Sequence, residues 1–149
     1  MSSYARYSSM DFEAISRIAN VISRLGLGRS IATILAALLI RGPLTQSEIA
    51  SLTGYSVSSV SSSLLVLERL GLVTAIKKSG RKRLYSVVGS FIDLVERLLE
   101  DYVYHQLAST VKFLERNISK FNSRSKRNIE KIVNEYRRLR GELVNALRT

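Results

Sequence analysis

Cysteine and tryptophan are absent from this sequence, proline and histidine occur once each, and acidic residues are outnumbered by basic ones almost two to one. Without cysteine there is no disulfide, no thiolate metal ligand and no cysteine nucleophile, which is compatible with a cytosolic protein. The single histidine, His105, excludes a His-based metal cluster within one chain. The serines show no Ser–His–acid arrangement to activate them. Between Tyr104 and Gln106, His105 reads as a packing or surface residue. Gly26, Gly28 and Gly80 follow no phosphate-cradling spacing. Asp11, Glu13, Asp93, Glu96, Glu100 and Asp101 fit helix starts and surface positions. No catalytic residue, metal site or cofactor is therefore expected. The lone proline argues against long disordered linkers. The longest apolar segment, Ile31 to Ile40, has ten residues, too few to cross a bilayer. The opening MSSYARYSSMDFEA lacks the apolar run of a secretory signal. A soluble, cytoplasmic protein with no membrane association is the expectation.

The shortage of acids leaves 23 Lys and Arg against 12 Asp and Glu, a formal charge of +11. An excess of that size implies an anionic partner, and nucleic acid and anionic membrane are the two candidates. The 149 residues are 46% apolar, enough for one domain, or one domain with helical extensions.

The pattern is richest between Thr45 and Val88. Thr45 followed by Glu48 has the spacing of a capping box, in which hydroxyl and carboxylate satisfy the free amides of a helix start. Ile49 and Leu52 give that helix an apolar face. Gly54, in Thr53-Gly54-Tyr55-Ser56, can take the positive φ that ends it. Ser56 suits the cap of a second helix, about Val57 to Leu70. Val57, Val60, Leu64 and Leu67 fall on one side of it. Ser58, Ser59 and Ser62 lie opposite, with Ser61 and Ser63 at the margins. Serine is a mediocre helix former, and two readings of this face stand. The serines are merely small and soluble, or they let the backbone approach a DNA major groove and offer donors and acceptors there. Gly71 ends the helix, and Leu72–Ile76 and Leu84–Val88 read as two strands of a hairpin. Its tip, Lys77-Lys78-Ser79-Gly80-Arg81-Lys82-Arg83, has five cations among seven residues and no acid. Phosphate is the natural counterpart of such a cluster, a solvated charged tip the plainer reading.

The residues from Arg24 to Phe91 resemble the MarR superfamily of winged helix-turn-helix regulators, in particular its GbsR-type branch. RLGLGRSIATILAALLI, GPLTQSEIA, SVSSVSSSLLVLERLGLV and KKSGRKRLYSV carry the likeness. The resemblance implies a mainly α fold with a small β-hairpin: a winged helix-turn-helix flanked by N- and C-terminal dimerisation helices. It also implies that the second helix of the motif enters the major groove, with Ser58, Ser59, Ser62 and Ser63 reading or approaching bases. Arg81, Lys82 and Arg83 then contact DNA from the wing. Leu65 departs from the pattern, since relatives often carry a basic or polar residue there. A small-molecule effector between winged domain and dimer helices, as in relatives, is also implied, although no polar constellation identifies one.

The flanking segments are helical in period. Residues 1–28 read as an N-terminal arm, loose at first, then apolar at Phe12, Ile15, Ile18, Ala19, Ile22 and Leu25. The greasy helix from Arg29 to Ile40 is the expected centre of the core, stopped by Gly42-Pro43. The winged domain is expected over 29–89. Residues 90–149 read as two long amphipathic helices, the first running roughly 30 residues to Phe121 and starting at a Ser90/Asp93 cap. The second carries apolar residues at near-heptad spacing from Ile129 to Leu147. Such surfaces exceed what one winged domain covers, so a homodimer is expected, with a hairpin folded on itself as the alternative. From Arg116 to Arg148 ten cations face Glu130, Glu135 and Glu142, a solvated face first, a second phosphate-contacting surface otherwise.

Three functions remain open at this level. The first is a dimeric regulator binding double-stranded DNA through Ser56, Ser58, Ser59, Ser61, Ser62 and Ser63 of the helix and Lys77, Lys78, Arg81, Lys82 and Arg83 of the wing. The second is an architectural DNA coat of low sequence choice, the third a winged-helix protein-interaction module.

Overall fold

The computed structural model describes residues 8–80 and 82–148. The chain divides into two compact units, the first ending at Leu94 and the second starting at Val95.

In the first unit, helix α1 (Ser9–Ser23) opens on a capping box between Ser8 and Asp11. Ile15, Ala19 and Ile22 of α1 are buried, and the helix packs on α2 (Arg29–Arg41). The N-terminal segment is thus covered by the winged domain itself. Helix α2 is the core, with Ala32, Ile34, Leu35, Ala36 and Ala37 wholly inaccessible. It touches α1, α3 (Gln46–Thr53), α4 (Val57–Arg69) and strand β2 (Lys82–Val87). It stops at Gly42-Pro43 as the sequence suggests. Gly42 is extended, and a Cβ there would fall against the carbonyl oxygen of Leu38, so close approach selects the glycine.

Thr45 caps α3 as its spacing predicts. Its hydroxyl accepts from the Glu48 amide at 3.2 Å, while the Glu48 carboxylate accepts from the Thr45 amide at 3.1 Å. Gly54 ends α3 at φ +80°, a region costly for any side chain with a Cβ. The chain then turns by 111° into α4, within the range of helix-turn-helix pairs.

Strands β1 (Val73–Ser79) and β2 (Lys82–Val87) pair antiparallel, with Val73 opposite Val87 and Ser79 opposite Lys82. The pairing runs further than the sequence suggests. Lys77, Lys82 and Arg83 stand on hydrogen-bonded strands, not in a loop, because the ladder continues past a one-residue irregularity at Ile76. Leu44 adds a single bridge to the free edge of β2. Its amide donates to the Tyr85 carbonyl at 3.1 Å, and its carbonyl accepts from the Tyr85 amide at 2.8 Å.

The second unit is a helical hairpin. Helix α5 (Phe91–Asp101), which begins in the first unit at the expected Ser90/Asp93 cap, runs into a π-helical turn (Tyr102–Leu107). Helix α6 (Ala108–Arg116) follows. After a 3₁₀ turn at Ile118–Lys120, α7 (Ser123–Arg148) returns. The single long helix expected to Phe121 therefore ends at Arg116 and contains a wide turn. Leu98, Val103 and Ala108 are all buried and five residues apart. That interval overruns an α-helical turn and suits the wider π geometry. Val103, Ala108 and Val111 pack with Ile129, Val133 and Tyr136 of α7. The Tyr136 hydroxyl donates to the Val103 carbonyl inside the π turn at 2.9 Å, and Arg140 stacks over the Tyr104 ring at 5.1 Å.

Among the described residues no single helix is long and apolar enough to cross a membrane.

Candidate nucleic-acid interface

Helix α4 has two unlike sides. Val60, Ser63, Leu64 and Leu67 are buried. Ser58, Ser61, Ser62, Leu65, Val66 and Arg69 are exposed, and Ser59 is half-buried. At about 100° per residue, Ser58, Leu65, Val66 and Arg69 all lie within about 60° of Ser62. The sequence-predicted face is therefore brought together, with one correction. Ser63 is 5% exposed: on the wheel it lies about 40° from Leu67 and about 60° from Val60, at the edge of the buried side, which withdraws it from the exposed face. Val57 departs in the other direction: at the first position of the helix it is half exposed.

The hydroxyls are partly committed. Ser56, exposed at the helix start, accepts from the Ser59 amide at 3.1 Å, which fixes it as the N-cap. Ser62 donates to the Ser58 carbonyl one turn back at 3.2 Å, leaving only lone pairs toward solvent. Ser58 and Ser61 are exposed hydroxyls that form no hydrogen bond among the described residues.

The wing supplies the charge. Lys77, Lys82 and Arg83 are exposed, Arg83 directly across the ladder from Lys78. Arg81 and the side chain of Lys78 lie outside the described residues. Lys82, Arg83 and the buried Tyr85 border a recess of about 390 Å³ whose opposite wall is Gln46 and Ser47, the first turn of α3. That turn offers free amides and the positive end of the helix dipole. Cationic side chains and helix amides thus surround one concave surface suited to an anionic oxygen. Sequence reasoning missed Gln46 and Ser47, because only the Leu44–Tyr85 bridge brings them beside β2. Among the described residues no group of three His, Asp or Glu side chains gathers to hold a metal ion.

Residues 25–83 match the family model described as MarR family. A crystal structure described as a transcriptional regulator superposes with a TM-score of 0.68 at 14% identity, covering 92% of this chain and 95% of that one. At that identity the likeness shows the fold, a winged helix-turn-helix with flanking helices. MepR of Staphylococcus aureus, a transcription regulator of the multidrug efflux pump MepA, superposes at 0.46 with 18% identity, over 85% of this chain and 89% of that one. A MepR mutant bound to an oligodeoxyribonucleotide superposes at 0.45 with 17% identity, over 91% and 95%. No curated protein sequence matches the chain.

Proposed function

We infer that this winged helix-turn-helix protein, MarR-like over residues 25–83, is a dimeric DNA-binding transcription regulator. The observation that carries the reading is the exposed face of α4. Across a 111° turn from α3, this helix buries one side in the core and holds Ser58, Ser62 and Arg69 exposed on the other. Small side chains there permit the backbone to enter a major groove about 12 Å wide. Lys77, Lys82 and Arg83, with Arg81 in the same run, then set register through phosphates. The protein acts in the cytoplasm, on the nucleoid. Within the family, the motifs from Arg24 to Val87 favour the GbsR-type branch.

Dimerisation is supported by apolar surface on the helical hairpin. Phe113 is 54% exposed, and Ile132 and Leu139, seven residues apart on one flank of α7, are 47% and 44% exposed. Burying such side chains against a second copy removes apolar area from water, and two recognition helices then meet a pseudo-palindromic site. Sedimentation at micromolar concentration tests this: a species of twice 16.7 kDa is expected, and a clean monomer refutes the dimer.

The test of function is the ratio of affinities for an enriched sequence and for random duplex at fixed salt. A regulator gives roughly 10³ or more. A ratio near one establishes the second reading, an architectural coat, which one observation favours. Apart from Arg69, the exposed face of α4 has no side chain with the bidentate reach of Arg, Asn or Gln. Absence of duplex binding at physiological salt refutes both.

A further inference from the structure

We propose that α4 selects its site through the 5-methyl groups of pyrimidines, thymine in normal DNA, with Leu65 and Val66 as the specificity-determining side chains. The inference rests on the reading of α4 as the groove-entering helix.

Leu65 is 50% exposed and Val66 36%. Neither is needed for the core, which α4 already fills with Val60, Leu64 and Leu67. They flank the Ser62 direction, at about 60° on one side and about 40° on the other. Two branched aliphatic groups therefore stand in the centre of the face that meets DNA, one turn beyond the serines. The polar groups left on the same face are the Ser58 hydroxyl and Arg69, since Ser56 accepts from the Ser59 amide and the Ser62 hydroxyl donates to the Ser58 carbonyl. Glu68, the only acid of α4, sits about 120° away from Ser62. The floor of the major groove carries one apolar group, the thymine methyl, and side chains of this kind recognise it by contact. A cytosine amino group or a guanine carbonyl under Leu65 loses water without gaining a partner. The arrangement therefore rewards methyl-bearing positions and penalises bare polar edges.

The test uses the full chain and a duplex of A·T pairs about two helical turns long, compared with the same duplex carrying deoxyuridine for every thymine. Only the 5-methyl groups differ. Wild-type protein is expected to bind the thymine duplex more tightly by about fourfold for each contacted methyl. A duplex of G·C pairs is expected to bind more tightly when its cytosines are 5-methylated. Leu65→Ala with Val66→Ala, at exposed positions, should abolish both preferences while leaving the salt dependence of binding unchanged. Equal affinity of the wild type for the thymine and uracil duplexes overturns the proposal, as does a preference that survives the double substitution. In both cases salt-dependent duplex binding leaves the DNA-binding reading intact. If neither duplex binds, that reading and this proposal fall together.

Discussion

Neutralising the wing with Lys82→Gln and Arg83→Gln provides a quantitative test of the interface. Both side chains are exposed near the tip of a paired hairpin, so their loss removes charge without touching the core or the strand hydrogen bonds. Each phosphate neutralised by a cation contributes about 0.9 to the slope of log affinity against log salt. On the proposed dimer, two cations on each of two wings give four contacts, a change in slope of about 3.6. Raising salt from about 50 to about 200 mM then costs the wild type about 150-fold more affinity than it costs the variant. Fluorescence anisotropy with a labelled duplex, repeated across that salt range, measures the two slopes directly. The loss should be uniform across sequences, because phosphate contacts carry no base information. Circular dichroism and thermal unfolding of the variant should match the wild type. Parallel salt slopes for the two proteins would refute the reasoning and take the wing out of the interface.

Further expectations follow from individual side chains. Ser58→Ala with Ser61→Ala should change the sequences enriched from a random pool while leaving the salt slope in place; unchanged preferences would remove the serines from base readout. Gly54→Ala forces a Cβ into φ +80° and should cost about 1–2 kcal/mol in denaturant unfolding. Tyr136→Phe removes the hydroxyl that donates to Val103 within the buried hairpin core; a loss of about 1–3 kcal/mol is expected, and no loss would mean that the carbonyl needs no partner. Leu35→Ala, at the wholly inaccessible centre of α2, should cost about 2–5 kcal/mol by the same measurement.

What the sequence reveals of this fold is what short-range chemistry decides. Thr45 with Glu48, and Ser90 with Asp93, announce helix starts because the capping bonds span only three residues, and both form as spaced. Gly54 announces a turn because few other residues tolerate its φ. The greasy run of α2 announces the core. The features that stay hidden depend on neighbours far along the chain. Ser63 looks marginal on a helical wheel and is nevertheless buried, where α4 packs on α2, α3 and β1. The wide turn at Tyr102–Leu107 follows from burying residues five apart against α7, a choice that a run of amphipathic residues does not disclose. Gln46 and Ser47 come beside Lys82 and Arg83 through a backbone bridge between residues some forty positions apart. Leu65 is legible as an anomaly, and its exposure gives the anomaly a direction.

The two hydrogen bonds between Leu44 and Tyr85 have a mechanical consequence. They rivet the middle of β2 to the residue preceding the cap of α3, while α4 lies against β1. Hairpin and helix pair are thereby joined like the jaw and handle of one tool, with no hinge left to tilt the first without the second. Any signal that silences such a device must carry it away whole.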